Sequence, residues 1–388
     1  MALAETSVKR TRSSSLVRTD VERSTFAHSS ESESDETYVV DPEFSNTKGD
    51  IYLKVENTLF PASIKILREV PGLFSDLFSI QQPENADLIY GLPYCEMFNC
   101  SESELRILLK VIHGVPHVFQ KTIDSNNLTE FNIENMLDAL LVSAKYDLPE
   151  IRTQVKSAFL DFFGMLWSHI IFGHLPPETP RVAITGYTMD VEDAPCFLTF
   201  RMINVLKECQ LEYCLPLAYY LAAQQTLQHI MDGVELDDGS IVELDDADQV
   251  KLMRGKRTLR DLRRQVTHMW LVEHVGYPRD YLRQHGCTSD PNANSCYDMV
   301  LNLYVLFYSP VSGLLEERWD ALDSISYQAA EALKSSLCPQ CYKYFTDRIV
   351  KCLDASFTEI PQIFMGKSWT DLRYRQAEIE EKWCGTDP

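Results

Sequence analysis

The segment 49–80 constrains the fold of this chain more than any other part of the sequence. Near its start, apolar residues alternate with more polar ones, as in a half-buried β-strand, at Ile51, Leu53 and Val55. Glu56-Asn57 is a turn signal, so the residues after it can return as the second arm of a hairpin. From Ile64 the apolar spacing becomes helical, and Pro71-Gly72 divides it into two short helices. The segment therefore predicts a hairpin and two helices, without a side chain that is typical of catalysis.

Strand and helix signals continue to about residue 160. Leu88 to Tyr94 is predicted to be a third strand. Ser101 and Glu104 form a capping-box pattern at the start of an amphipathic helix. A second helix is predicted from about Thr129, and a final one carries apolar residues from Ile151 to Leu160. The pattern predicts a small sheet flanked by helices.

The segment 49–80 resembles the start of a BTB/POZ domain. The family pattern is an acidic residue, a strand, Val-Glu-x-x-x-Phe and two helices, the second ending Phe-x-x-x-Phe. The matching residues here are Asp50, Val55, Glu56, Phe60, Phe74 and Phe78. Where the family usually has His followed by Arg or Lys, this sequence has Ser63-Ile64. The segment 140–155 is also similar to the penultimate helix pair of the family, so the resemblance covers about 49–160.

Two later segments resemble the BTB/POZ proteins of basidiomycete-type fungi. LPLAYYLAA (215–223) is similar to a Leu-Pro-x-Ala-x-Tyr segment that follows the BTB domain in those proteins. The second segment has Leu-Cys-x-x-Cys at 337–341, then Ile-Pro-Gln-Ile-Phe at 360–364 and Trp369. Met365-Gly366 stands where that family has Phe-Gly.

The resemblance implies an α+β fold, in which a BTB/POZ domain with a short β-sheet flanked by helices precedes a mainly α-helical C-terminal region. Residues 1–46 are predicted to be a disordered tail, because they are rich in Ser, Thr, Arg and Glu and poor in large apolar residues. The BTB/POZ-like domain is predicted at 47–162 and the helical region at 163–388. An acidic β-hairpin is expected near 234–244, around Asp238-Gly239.

Charge and hydropathy restrict the partners and the compartment. A formal net charge of −21 argues against general binding of nucleic acid or of anionic membranes, because phosphate groups attract positive charge. The N-terminal residues lack the apolar core of a signal peptide, and the most apolar windows are too short to span a membrane. We therefore expect an intracellular protein of the cytoplasm or nucleus, with reduced thiols.

The cysteines near the C-terminus are the only constellation that resembles site chemistry. Cys338 and Cys341 form a Cys-x-x-Cys pair, and Cys287, Cys296 and His285 lie upstream. Such pairs can present thiolates to zinc, but the spacing of the upstream pair is unusual for a zinc site. A redox dithiol would require a thioredoxin-like βαβ unit, which the sequence does not predict. Free thiols are the favoured interpretation, so no metal ligand and no cofactor is predicted; the alternative is a zinc-stabilised regulatory protein that uses these cysteines.

The sequence predicts a non-enzymatic protein–protein interaction module. It contains no His-Glu-x-x-His, Gly-x-Ser-x-Gly, Gly-x-Gly-x-x-Gly or Walker motif, so no catalytic residue is predicted. The BTB/POZ resemblance implies self-association and, in some branches, work as a cullin-type ubiquitin ligase adaptor or a transcriptional co-regulator. Tyr52, Ser63 and the helix 74–80 are the candidate contact positions, although Phe74 and Phe78 are expected in the core.

Overall fold

The computed structural model describes residues 37–80, 87–123, 128–172, 181–184, 195–236, 239–267, 269–276, 281–284, 286–288, 295–308 and 334–383. The strands are β1 (Val39–Val40), β2 (Ile51–Val55), β3 (Thr58–Ala62), β4 (Leu88–Ile89), β5 (Leu92–Glu96), β6 (Gln120–Ile123), β7 (Leu128–Phe131), β8 (Arg181–Ile184), β9 (Val234–Glu235) and β10 (Ile241–Val242).

Helices account for most of the regular structure, so the fold is α+β with a predominance of helix. They are α1 (Ile64–Glu69), α2 (Leu73–Ser79), α3 (Glu102–Ile112), α4 (Ile133–Lys145), α5 (Pro149–Phe172), α6 (Cys196–Glu208), α7 (Leu215–Ala222), α8 (Leu227–Asp232), α9 (Asp246–Leu262), α10 (Met269–Gly276), α11 (Tyr281–Gln284), α12 (Cys296–Tyr308), α13 (Pro339–Met365) and α14 (Trp369–Trp383). A π-helical turn, Arg263–Thr267, follows α9. None of the described helices combines the length and the hydropathy that a membrane span requires.

The predicted hairpin and the two helices after it are present. β2 and β3 are antiparallel with Leu53 opposite Phe60, and the alternating residues of β2 are buried. β5 then lies parallel to β2 on its other side, which gives the strand order β1-β3-β2-β5-β4. Asp50 accepts a hydrogen bond from the N–H of Ile64 at 2.7 Å, so the acidic residue before the hairpin caps α1.

Two elements differ from the sequence predictions. Leu88 to Tyr94 is not one strand, because the chain turns back at Tyr90-Gly91, where both residues have positive φ (49° and 81°). The helix expected from Thr129 begins at Ile133, since the residues before it form β7, which pairs with β6 and β8. In the second case one partner, β6, is close in the sequence, but the other, β8, is distant, and a local pattern cannot reveal that partner.

Regular structure in the described residues begins before residue 47. Residues 1–36 of the predicted tail lie outside the described residues, but Val39–Val40 pairs with β3, and Phe44 is buried in the core. Asp41 is fully buried, and its carboxylate accepts hydrogen bonds from Arg106 on α3, the shorter at 2.7 Å. Both guanidinium nitrogens donate to the same carboxylate oxygen, Oδ2, and this charge-assisted pair fixes the segment in place.

The capping box of α3 is confirmed. The Ser101 hydroxyl accepts the N–H of Glu104, and the Glu104 carboxylate accepts the N–H of Ser101. Glu104 also forms an ion pair with Lys145 of α4, at 2.8 Å. α5 packs on α4 and continues without a break through residue 162, so the predicted division at 162/163 falls inside one helix.

The described residues form two hydrophobic cores. The main core extends from Phe44 to Phe364 and includes the sheet, α3 to α7 and part of α9. The second core is small and is formed by residues of α10 to α13, with Trp270 against Phe345 at 5.8 Å between ring centroids. α13 contributes to both cores, through Phe345 near its start and Phe364 near its end. The predicted acidic hairpin is present as the antiparallel pair β9–β10.

Candidate functional site

The predicted contact positions of the N-terminal region lie in the sheet and at the start of a helix. Tyr52 is half-buried in β2, between Pro61 of β3 and Tyr94 of β5. Ser63 is the N-cap of α1, but its side chain makes no capping hydrogen bond. The N–H of Ile64, the first residue of the helix, donates to Asp50 instead.

The two aromatic residues of α2 are core residues, as the sequence predicts. Phe74 and Phe78 are each 1 % exposed. Their rings are stacked at 6.4 Å, and Phe74 also contacts the ring of Tyr146 at 5.6 Å. This part of the α2 helix therefore stabilises the fold and is not accessible to a partner.

An exposed patch near α2 was not predicted from the sequence. We call it the Phe98 surface, and it consists of Leu73, Phe98, Asn99 and Lys145. Leu73 is 46 % exposed and Phe98 is 73 % exposed. Tyr146 holds them near each other, since its carbonyl accepts the N–H of Leu73 and its hydroxyl donates to the carbonyl of Phe98, each at 3.2 Å. Lys145 donates to the carbonyl of Asn99 at 2.6 Å.

The four C-terminal cysteines that the sequence singles out meet in the structure. The Sγ atoms of Cys287, Cys296, Cys338 and Cys341 all lie within 4.8 Å of one another. Cys287 follows α11, Cys296 is the first residue of α12, and the other two lie at the start of α13. Cys296 and Cys341 are buried, whereas Cys287 and Cys338 are half-buried. His285 lies outside the described residues. No other group of three or more Cys, His, Asp or Glu side chains converges in this way within the described ranges.

Local chain geometry explains how three segments present these thiols. A left-handed Gly286 (φ 87°) turns the chain after α11, and Cys287 donates its N–H to the carbonyl of Leu282. The Ser295 hydroxyl accepts the N–H of Asp298 and so caps α12 just before Cys296. Pro339 begins α13 and places Cys338 at its N-cap.

Backbone amides point at two of the sulfur atoms. The N–H of Cys338 donates to Cys296 Sγ at 3.3 Å, and the backbone of Thr288 and of Cys341 donates to Cys338 Sγ. The Sγ atoms of Cys338 and Cys287 are 3.9 Å apart. Burial raises the pKa of Cys338, but hydrogen bonds from the backbone and side chain of Thr288 and of Cys341 outweigh burial and lower that pKa to about 6. Burial, followed by hydrogen bonding and charge repulsion from the other cysteines of the cluster, raises the pKa of Cys341.

The remaining described cysteines behave differently. Burial raises the pKa of Cys196, Cys209 and Cys214 to about 12. These thiols are packed as small apolar side chains, which is the ordinary environment of a structural cysteine. Among the described cysteines with a resolved pKa shift, Cys338 alone has a lowered value, and it belongs to the cluster of four.

Comparison with known proteins identifies no relative. No family model matches the sequence, and neither the curated proteins nor the solved structures provide a match. The BTB/POZ resemblance therefore stays a prediction that rests on the residues quoted above.

Proposed function

We propose that this chain is a non-enzymatic protein–protein interaction module that associates through its BTB/POZ-like N-terminal region. The observation that carries the proposal is the parallel return of β5 beside β2, with Leu53 opposite Cys95. The chain reaches that position after a hairpin and two short helices, and α3 to α5 follow it. A short sheet flanked by helices in this order is what the resemblance implies.

The Phe98 surface is the contact region that we assign to this function. Phe98 is the most exposed of the large hydrophobic residues in the described part of the chain. Aromatic side chains are enriched among the residues that dominate binding energy in protein interfaces. The hydrogen bond from Tyr146 to its carbonyl fixes the backbone that presents Phe98, so little conformational freedom is lost on binding.

The test is the mass of the purified chain by light scattering over a dilution series. We expect a dimer at about 50 μM, a concentration at which a micromolar complex is mostly associated. Phe98→Ala should weaken association at least about tenfold without unfolding the chain. Tyr374→Ala is the matched control, because Tyr374 is 70 % exposed on α14 and outside the proposed surface.

A pull-down with a cullin tests the adaptor role that the resemblance implies. The role would be supported if the cullin retains the wild-type chain, if Phe98→Ala reduces that retention and if Tyr374→Ala leaves it unchanged. A strict monomer throughout the dilution series together with no cullin retention would leave the association function without support.

A further inference from the structure

We propose that Cys287, Cys296, Cys338 and Cys341 together bind one zinc ion as a tetrathiolate site. Cys287 and Cys296 lie near each other in the sequence, Cys338 follows Cys296 after 42 residues, and all four thiols belong to the second core or pack against it. This inference goes beyond the proposed association function and does not depend on it.

The sulfur separations fit a single metal ion. Zinc–thiolate bonds of about 2.3 Å in a tetrahedron place the sulfur atoms about 3.8 Å apart. Cys287 and Cys338 Sγ are 3.9 Å apart, and no pair in the set exceeds 4.8 Å. Small side-chain adjustments of about 1 Å or less therefore complete the tetrahedron.

Other occupants fit this geometry less well. An iron–sulfur cluster places several iron and sulfide ions between its cysteines and requires wider separations than a mononuclear site. Hard cations such as Mg²⁺ or Ca²⁺ prefer oxygen ligands. A redox dithiol needs two thiols, whereas here four converge and two of them, Cys296 and Cys341, are buried.

The surroundings of the sulfur atoms favour thiolates. Cys296 starts the helix α12, and Cys338 and Cys341 start α13, so two helix N-termini direct their positive ends toward the cluster. The N–H of Cys338 donates to Cys296 Sγ. Four thiolates carry more negative charge than one zinc ion neutralises. Hydrogen bonds to the ligand sulfur atoms stabilise this charge and orient the ligands.

A structural role follows from the position of the site. Cys296 and Cys341 belong to the second core, whose other members include Trp270, Leu282 and Val300. In the described part of the chain this core has eleven buried members, and small structural units commonly gain stability from a metal ion or from disulfides. The zinc ion would join the segment after α11 to the starts of α12 and α13, beside that core.

The first experiment is elemental analysis of the full chain purified with a thiol reductant and without chelator. We expect about one zinc per chain. Cys338→Ser and Cys341→Ser should each lower the zinc content at least about tenfold, whereas Cys352→Ala should retain it. Cys352 is the matched control, because it lies on α13 in the same core but outside the cluster.

A second measurement needs no variant and so covers the case in which the serine variants fail to fold. Replacement of the metal by Co²⁺ in the wild-type chain should give the intense visible bands of a tetrahedral site and thiolate-to-cobalt charge-transfer absorption. Zinc below about 0.2 per chain, with no uptake after reduction and incubation with zinc, would overturn the proposal. Bound iron in place of zinc, or an octahedral cobalt spectrum, would also overturn it.

Discussion

Gly255 and Gly164 are both helical glycines, but their surroundings differ in a way that decides the effect of a methyl group. At Gly255 in α9, an added Cβ would lie 2.2 Å from Cε1 of Phe364 on α13. At Gly164 in α5, no atom other than those of the glycine, its chain neighbours and the adjacent helix backbone lies within 4 Å of the added Cβ. Helix propensity alone favours alanine at both positions by about 1 kcal/mol.

Gly255→Ala should lower the free energy of unfolding by about 1–3 kcal/mol, because the contact between α9 and α13 must widen. Gly164→Ala should leave the free energy of unfolding unchanged or raise it by up to about 1 kcal/mol. Urea denaturation of both variants beside the wild type provides the measurement. Similar stabilisation by both substitutions would show that Phe364 does not pack against Gly255.

At the scale of single residues, the sequence identifies burial better than it identifies exposed contact positions. Phe74 and Phe78 are buried as their helical spacing predicts. No sequence signal marks Phe98, because its exposure depends on how Tyr146 holds the chain before α3. The apolar character of a side chain does not reveal whether a neighbouring element covers it.

Among the elements, α2 offers a direct test of the N-terminal packing. Phe78→Ala should lower the free energy of unfolding by about 3–5 kcal/mol, because the ring is buried against Phe74. Leu73→Ala is the control in the same helix, and it should cost less than about 1 kcal/mol because Leu73 is 46 % exposed. Chemical denaturation gives both values. A loss under about 1 kcal/mol for Phe78→Ala would show that α2 is placed wrongly.

Elements with a clear local turn or cap signature are predicted correctly, whereas the turn between β4 and β5 and the strand β7 are not. The β2–β3 hairpin, the capped helix α3 and the β9–β10 hairpin each have their pattern within a few adjacent residues. β7 has the apolar spacing of a helix start, but pairing with β6 and β8 makes it a strand. β6 is close to β7 in the sequence, but β8 is well separated from it, and pairing with both strands overrides the local propensity.

At the scale of the whole molecule, the cysteine cluster also depends on tertiary packing that the sequence does not reveal. The sequence gives the Cys-x-x-Cys pair at 338–341 and two thiols upstream, but the spacing of Cys287 and Cys296 is not typical of a zinc site. Only the packing of α11, α12 and α13 around one small core brings the four sulfur atoms together. The free-thiol interpretation is reasonable without that packing, and the zinc interpretation is favoured once it is known.

The two cores should respond differently to removal of zinc, and α13 makes the difference measurable within one helix. Its first half contributes Phe345, Ile349 and Leu353 to the second core, whereas Ile360 and Phe364 belong to the main core. The four cysteines belong to the second core or pack against it, so a metal that they bind stabilises that core directly and the main core only through α13.

Hydrogen exchange of the full chain with and without a chelator, under reducing conditions, therefore has a specific expected outcome. Peptides from 339–353 and 296–308 should lose protection when zinc is removed, whereas peptides from 133–145 and 357–365 should keep it. Readdition of zinc should restore protection, and Cys352→Ala should behave as the wild type. Protection that is unchanged at 339–353 would mean that the second core is stable without the metal. Loss of protection in both cores would mean that α13 transmits unfolding to the main core, whose stability would then also depend on the zinc site.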